Sequence, residues 1–268
     1  AEGTWPSAVG QSYCRQPGIA TPAQIAGWKR VTDAVQARGG LIVLQIMHGG
    51  RIGSHHIKPA GIESVAPSAL QAAGEVMTDS VGMQPYDMPR ELTTQEVRAV
   101  VQEHAQAALN ARQAGFDGVE LHGTSGYLPM QFLSSGTNLR TDDYGGPIEN
   151  RIRLLREVTQ AVVDAIGSDR TSVRLSPNGE TQGADDSNPV ALFTAAAAAL
   201  QDIGIAFLEL REIKPYGNFG QTDVPRVSPE IRKIFKGPLV LNQEYTKELA
   251  DADLASGLAD AISFGRPY

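Results

Sequence analysis

Cysteine is almost missing from this chain: Cys14 is the only one in 268 residues. That excludes an internal disulfide framework and a cysteine-only metal site. Positive charge is scarce as well, with 23 Lys and Arg against 30 Asp and Glu and a net charge of −7. Proteins that grip nucleic acid or an anionic membrane surface present a basic face, so neither partner is expected. No apolar run approaches the roughly 18 residues that a membrane span needs. The opening residues, which begin with Ala1 rather than Met, carry no signal-peptide pattern, and the expected location is cytoplasmic. The common nucleotide and hydrolase signatures are missing too: Gly-x-Gly-x-x-Gly, the Walker loop, His-Glu-x-x-His and Gly-x-Ser-x-Gly. His55 and His56 are adjacent, which on a strand would turn them to opposite faces, so no metal site is expected.

What remains is an ordinary globular composition, 41% hydrophobic and 20% charged. Short β-rich runs alternate with helical patterns. Six runs read as strands: 41–47, 118–121, 172–176, 206–210, 238–242 and 259–264. Their near-continuous apolar character suits a parallel sheet covered on its faces. Between them lie helices opened by Thr21-Pro22 and by the capping box Thr93-Thr94-Gln95-Glu96, one over 148–166, an Ala-rich one from Asn188-Pro189 to Gly204, and shorter ones from Ser228 and Thr246. This alternation fits a closed barrel or an open doubly wound sheet. No repeat or linker divides the chain, which reads as one domain over residues 1–268. Two long loops, 48–89 and 122–147, follow strands at their C-terminal ends, where parallel α/β folds place their active face.

Three groups of polar residues can carry chemistry. Gln45, Arg174, Glu209 and Asn242 lie in or beside apolar strands, where a buried charge must be paired or used. For Arg174 the alternatives are a salt bridge to Glu209 or Glu120 and a ligand contact. The second group is Glu120-Leu121-His122-Gly123-Thr124-Ser125-Gly126-Tyr127, where a His can donate to a developing oxyanion and a Tyr can deliver a proton. The third, Ser263-Phe264-Gly265-Arg266-Pro267, places a glycine and a guanidinium after the last strand, where barrels often hold a phosphate.

These residues sit in longer stretches that resemble the old yellow enzyme family of FMN-dependent ene-reductases, also described as NADPH dehydrogenases. The matching stretches are Pro17-Gly18-Ile19 through Trp28, Leu44-Gln45-Ile46-Met47-His48-Gly49-Gly50-Arg51, Gly118 through Leu128, Gln131-Phe132-Leu133, the specific block Asn138 through Arg151, and Phe264-Gly265-Arg266-Pro267. The resemblance implies an α/β (β/α)8 TIM-barrel fold with FMN at its C-terminal mouth and NAD(P)H as reductant. It implies that Gln45 and Arg174 bond the flavin pyrimidine edge, with Arg174 stabilising charge on the reduced ring. Gly265 and Arg266 would hold the phosphate, with backbone near Asn242 and Gln243 assisting. His122 would bind the carbonyl or nitro oxygen of an activated alkene, and Tyr127 would protonate the adjacent carbon. Met47 and Ser125 would line the substrate side.

Three departures accompany the match. Ser125 stands where relatives place a second His or an Asn, and Met47 stands where relatives often place an aromatic. Six strands are counted where the barrel uses eight, so the first two strands and the last helix are expected to be lacking. The expected activity is reduction of the C=C bond of α,β-unsaturated carbonyl or nitro compounds. The alternative is a catalytically silent or fragmentary relative that binds flavin weakly, or that needs a complementing segment or a second copy. An aldolase-type lyase is a weaker reading, because none of the six runs carries a strand-end lysine.

Overall fold

Local chemistry sets the helix starts. In the computed structural model, which describes residues 1–179, 181–214 and 222–265, α1 (Pro22–Gln36) begins after Thr21, whose hydroxyl accepts from Gln24 N while the Gln24 side chain accepts from Thr21 N. The chain then enters β1 (Val43–Ile46). The long loop that follows contains β2 (Val65–Ala66), the antiparallel pair β3 (Glu75–Thr78) and β4 (Gly82–Pro85), and β5 (Arg90–Glu91), which pairs with β2. A second capping box, Thr93 with Glu96, starts α2 (Thr94–Gln113). Next come β6 (Gly118–Gly123) and α3 (Leu128–Leu133), then α4 (Ile148–Arg151) and α5 (Arg153–Ile166). The single helix expected over 148–166 is thus two, separated at Ile152. The chain continues through β7 (Thr171–Leu175), α6 (Pro189–Ile203), β8 (Phe207–Arg211), α7 (Ser228–Ile234), β9 (Leu239–Asn242), α8 (Lys247–Ala255) and β10 (Ala261–Ile262). No helix among the described residues is long and apolar enough to cross a membrane.

All six expected strands form one parallel sheet in the order β1-β6-β7-β8-β9-β10. The order never reverses along the sequence. A doubly wound sheet needs such a reversal, so the arrangement is that of a (β/α)8 barrel wall, present here as a six-stranded arc whose end strands β1 and β10 do not pair with each other. Beside β1, Thr4 makes an isolated parallel bridge to Ile46, with Thr4 N donating to Gln45 O at 2.8 Å and Met47 N donating to Thr4 O at 2.8 Å.

Side chains alternate across every strand. Leu44, Ile46, Val119, Leu121, Val173, Leu175, Leu208, Leu210, Leu239 and Leu241 are each at most 2% exposed and belong to one core with residues of α2, α5, α6 and α7. Each such side chain contributes roughly 1.5–3 kcal/mol of hydrophobic stabilisation. The other face of the same strands presents Gln45, Glu120, His122, Arg174, Glu209, Arg211 and Asn242. The sequence therefore reads as apolar strand interrupted by polar residues at every second place.

Candidate functional site

Strand register brings the polar face together. Gln45 is opposite Glu120, His122 opposite Arg174, Arg174 opposite Glu209, and Arg211 opposite Asn242. Gln45 Nε2 donates to Glu120 Oε1 at 2.6 Å. Arg174 Nη2 donates to Asn242 Oδ1 at 2.6 Å, and Asn242 Nδ2 donates to Ser263 O at 2.8 Å. Arg174 Nε lies 3.2 Å from Glu209 Oε1, an ion pair in which the Nε–H is not aimed along a hydrogen bond. Both readings of Arg174 are thus compatible in one residue: it pairs with Glu209 and keeps a buried donor unspent.

The β6–α3 turn forms the second part. Ser125 and Gly126 are both left-handed, at φ 57° and 73°. Glycine is required at 126, because a Cβ there would lie 2.6 Å from Thr181 O. These two residues fold Tyr127 back onto His122, ring centroids 4.8 Å apart and nearly perpendicular. Thr124 N donates to His122 Nδ1 at 3.3 Å, which leaves the proton of the neutral ring on Nε2. The ring is neutral because burial, reinforced by Arg174 and Arg211, lowers its pKa to about 3. A neutral imidazole N–H of this kind can polarise an oxygen without carrying charge.

Tyr127 is 8% exposed, and its hydroxyl lies 2.9 Å from that of Tyr13. Burial first, then Tyr13, holds its phenol well above the ordinary range, so it keeps its proton at any physiological pH. Met47, Ile52, Ala72, Val76 and Tyr86 pack with Tyr127 in a separate apolar cluster that Tyr13 flanks. Four of these, Ile52, Ala72, Val76 and Tyr86, come from the 48–89 loop, which therefore forms a wall of the site.

The remaining expected residues are placed as follows. The Ser125 hydroxyl is 3.1 Å from the Thr124 hydroxyl, which also lies 3.1 Å from His122 Nδ1, so Ser125 reaches His122 only through Thr124. Gln243 sits at φ 95° just past β9 and accepts from Arg211 Nε at 3.2 Å. A non-glycine residue there is strained, a feature concentrated at functional turns. Gly265 is exposed after β10, with nothing within 4 Å of where a Cβ would sit. Arg266 lies outside the described residues.

Tyr13, Thr124 and Arg211 were not anticipated. Arg211 had a signal, being the polar residue two places after Glu209 on the same strand face. Tyr13 had none, since it lies 114 positions from its partner.

The donor set suits a flavin. A pyrimidine edge offers carbonyl acceptors and an imide N–H. The buried, unspent Arg174 Nε supplies a donor, and Gln45, with its Nε2 committed to Glu120, has its carbonyl left to accept.

Comparison with known proteins gives the same assignment. The whole chain, residues 1–268, matches the NADH:flavin oxidoreductase / NADH oxidase family. It is 38% identical over 268 residues to the putative 12-oxophytodienoate reductase 11 of Oryza sativa subsp. japonica, covering 100% of this chain and 73% of the relative. It is also 38% identical over 258 residues to a probable flavin mononucleotide-dependent alkene reductase of Leishmania infantum, covering 95% and 69%. Among solved structures, the old yellow enzyme homologue from Zymomonas mobilis superimposes with a TM-score of 0.97 at 50% identity, covering 99% of this chain and 74% of that one. Morphinone reductase superimposes with a TM-score of 0.94 at 41% identity, covering 99% and 72%.

Proposed function

Since this chain belongs to the NADH:flavin oxidoreductase / NADH oxidase family, the old yellow enzyme group, we propose that it is an FMN-dependent ene-reductase that uses NAD(P)H to reduce activated C=C bonds of α,β-unsaturated carbonyl or nitro compounds. The observation that carries the site assignment is the convergence of Gln45, His122, Arg174 and Asn242 on one sheet face, at the C-terminal ends of four parallel strands. FMN held there would supply the redox chemistry between the nicotinamide and the alkene.

The chain's own residues do the rest. Gln45 and Arg174 hold the pyrimidine edge, and Arg174 offsets negative charge there. Asn242 fixes the guanidinium from behind at 2.6 Å. Gly265, Arg266 and the backbone around Asn242 and Gln243 hold the phosphate. His122 donates from Nε2 to the carbonyl or nitro oxygen and lowers the barrier as charge develops on it. Tyr127 delivers its proton to the neighbouring carbon, and Tyr13, hydrogen-bonded to it, lies on the return path for that proton. Met47 and the loop wall keep water from the reacting carbon, while Ser125 buttresses Thr124.

The described elements act as one flavin-binding domain over residues 1–268, placed in the cytoplasm in keeping with a single free cysteine. Among the described residues β1 and β10 do not close the ring, and only the short Thr4 bridge covers the outer side of β1, which favours a second copy or a complementing segment along the open arc. The assay is FMN titration of the flavin-free chain, followed by flavin fluorescence. Saturable binding that Arg174→Ala weakens at least tenfold supports the assignment. A chain that stays colourless with excess FMN favours a silent relative instead, and unchanged binding in the variant removes Arg174 from the site.

A further inference from the structure

Two carboxylates on the inner face are not used by this chemistry. Glu120 and Glu209, on β6 and β8, are 8% and 9% exposed, with Arg174 of β7 between their strands. Glu209 Oε1 accepts from Ser263 Oγ at 2.7 Å and lies 3.2 Å from Arg174 Nε, while Glu120 accepts from Gln45. One guanidinium therefore faces two buried acids. The charged and titratable groups that face Glu120 are the amino group of Ala1, which donates to Val43 O at 2.6 Å on the β1 side, Arg174 from β7 and Glu209 from β8. His122, two residues on along β6, stays neutral.

Two like charges in one poorly hydrated site do not ionise together at ordinary pH. Burial first, then Glu209, raises Glu120 to about 7, against the opposing pull of Gln45 and Arg174. With Glu120 protonated, Arg174 and Glu209 neutralise each other. Once the proton leaves, a second negative charge sits against Gln45 and near Arg174, the two residues assigned to the flavin ring.

We propose that Glu120 is a positioning residue: the proton it holds against Glu209 sets the charge against Gln45 and near Arg174, so that the chain holds reduced FMN more tightly with Glu120 protonated than with it ionised. This rests on the flavin reading above. Oxidised FMN, whose ring is neutral, is affected far less. The pair thus couples proton uptake from solvent to retention of the electron-rich form of the cofactor.

Two measurements on the full chain test this. The first needs no flavin: a carboxyl carbon-13 titration of glutamate-labelled protein. One side-chain signal should titrate near neutral pH and be missing from Glu120→Gln. Glu209→Gln, which keeps the size but removes the like charge, should move that titration to lower pH. The second is the ratio of dissociation constants for reduced and oxidised FMN, measured anaerobically between about pH 6 and about pH 8.5. A unit charge at this range in a partly buried site should raise the ratio about tenfold across that window relative to Glu120→Gln. If no carboxyl titrates near neutrality, or if Glu209→Gln leaves the titration where it was, the proposal is overturned. Should Glu120→Gln fail to fold, the Glu209→Gln arm decides. Normal FMN binding with identical pH profiles in the chain and Glu120→Gln overturns this proposal alone. A chain that takes up no FMN at any pH overturns the functional reading and this proposal with it.

Discussion

Replacing Arg174 with Met keeps the stem that packs along the strand and removes the cation that faces Glu209 and Glu120. Removing one partner of a buried pair typically costs 3–5 kcal/mol, because the remaining charge stays desolvated and unpaired. The side chains of Arg174 and Glu209 are 19% and 12% exposed, so some solvent reaches them and the lower end, about 3 kcal/mol, is expected at alkaline pH. The cost should depend on pH in a definite direction. A carboxyl group whose folded pKa is raised destabilises the fold above its unfolded value, and the full cost is reached only once pH passes the folded value. Glu120, held near 7 with Arg174 pulling it down, rises further in the Met variant. The extra penalty therefore develops above neutrality and fades in acid, where the carboxyl stays protonated in both chains. Urea unfolding of the flavin-free chain at about pH 5.5 and about pH 9 measures it, with a deficit of about 1 kcal/mol or less in acid and about 3 kcal/mol in alkali. Equal deficits at the two pH values would refute the reasoning and leave Arg174 a packing residue.

Tyr127→Phe removes the proton donor but keeps the ring against His122, so alkene reduction should slow by about 100-fold or more while reduction of bound flavin by NAD(P)H changes little; stopped-flow measurement of the two half-reactions decides, and equal slowing of both would contradict the donor role. Arg151 pairs with Asp186 and donates to Leu133 O, with side chains 7% and 2% exposed. Arg151→Met should therefore cost about 3–5 kcal/mol in chemical denaturation, and Asp186→Asn added to it should restore part of the loss. A double variant no more stable than the single one would show that the pair is not what holds that corner.

Much of this arrangement is legible in the chain because the strands keep a strict period of two beneath an apolar surface. Gln45, Arg174 and Asn242 stand out as polar interruptions, and the alternation places them on one face. Arg211 obeys the same rule at the end of β8. The alternation of elements left barrel and open sheet equally open, because strand order is a long-range property that it does not encode; the family resemblance of the motif stretches pointed to the barrel. The hairpin of β3 and β4 was hidden in a stretch rich in turn residues, although Glu75-Val76-Met77-Thr78 alternates exposed and buried. The break at Ile152 left no mark in the helical spacing. Thr124 gave no warning either: its role comes from a backbone N–H and a hydroxyl reaching the preceding histidine, which depends on the left-handed turn at Ser125 and Gly126. Gln243 is similar, since nothing in its identity announces its backbone angle.

The hydroxyl contact between Tyr13 and Tyr127 joins positions far apart in the sequence, so its closure entropy is met only late in folding, after the intervening sheet has formed. The parts of the molecule that would cradle the cofactor, by contrast, are carried by the sheet itself, Gln45 on β1, Arg174 on β7 and Asn242 on β9. Renaturation should in consequence pass through a form that is already yellow but turns over slowly, gaining its full rate only when the N-terminal stretch docks over the phenol.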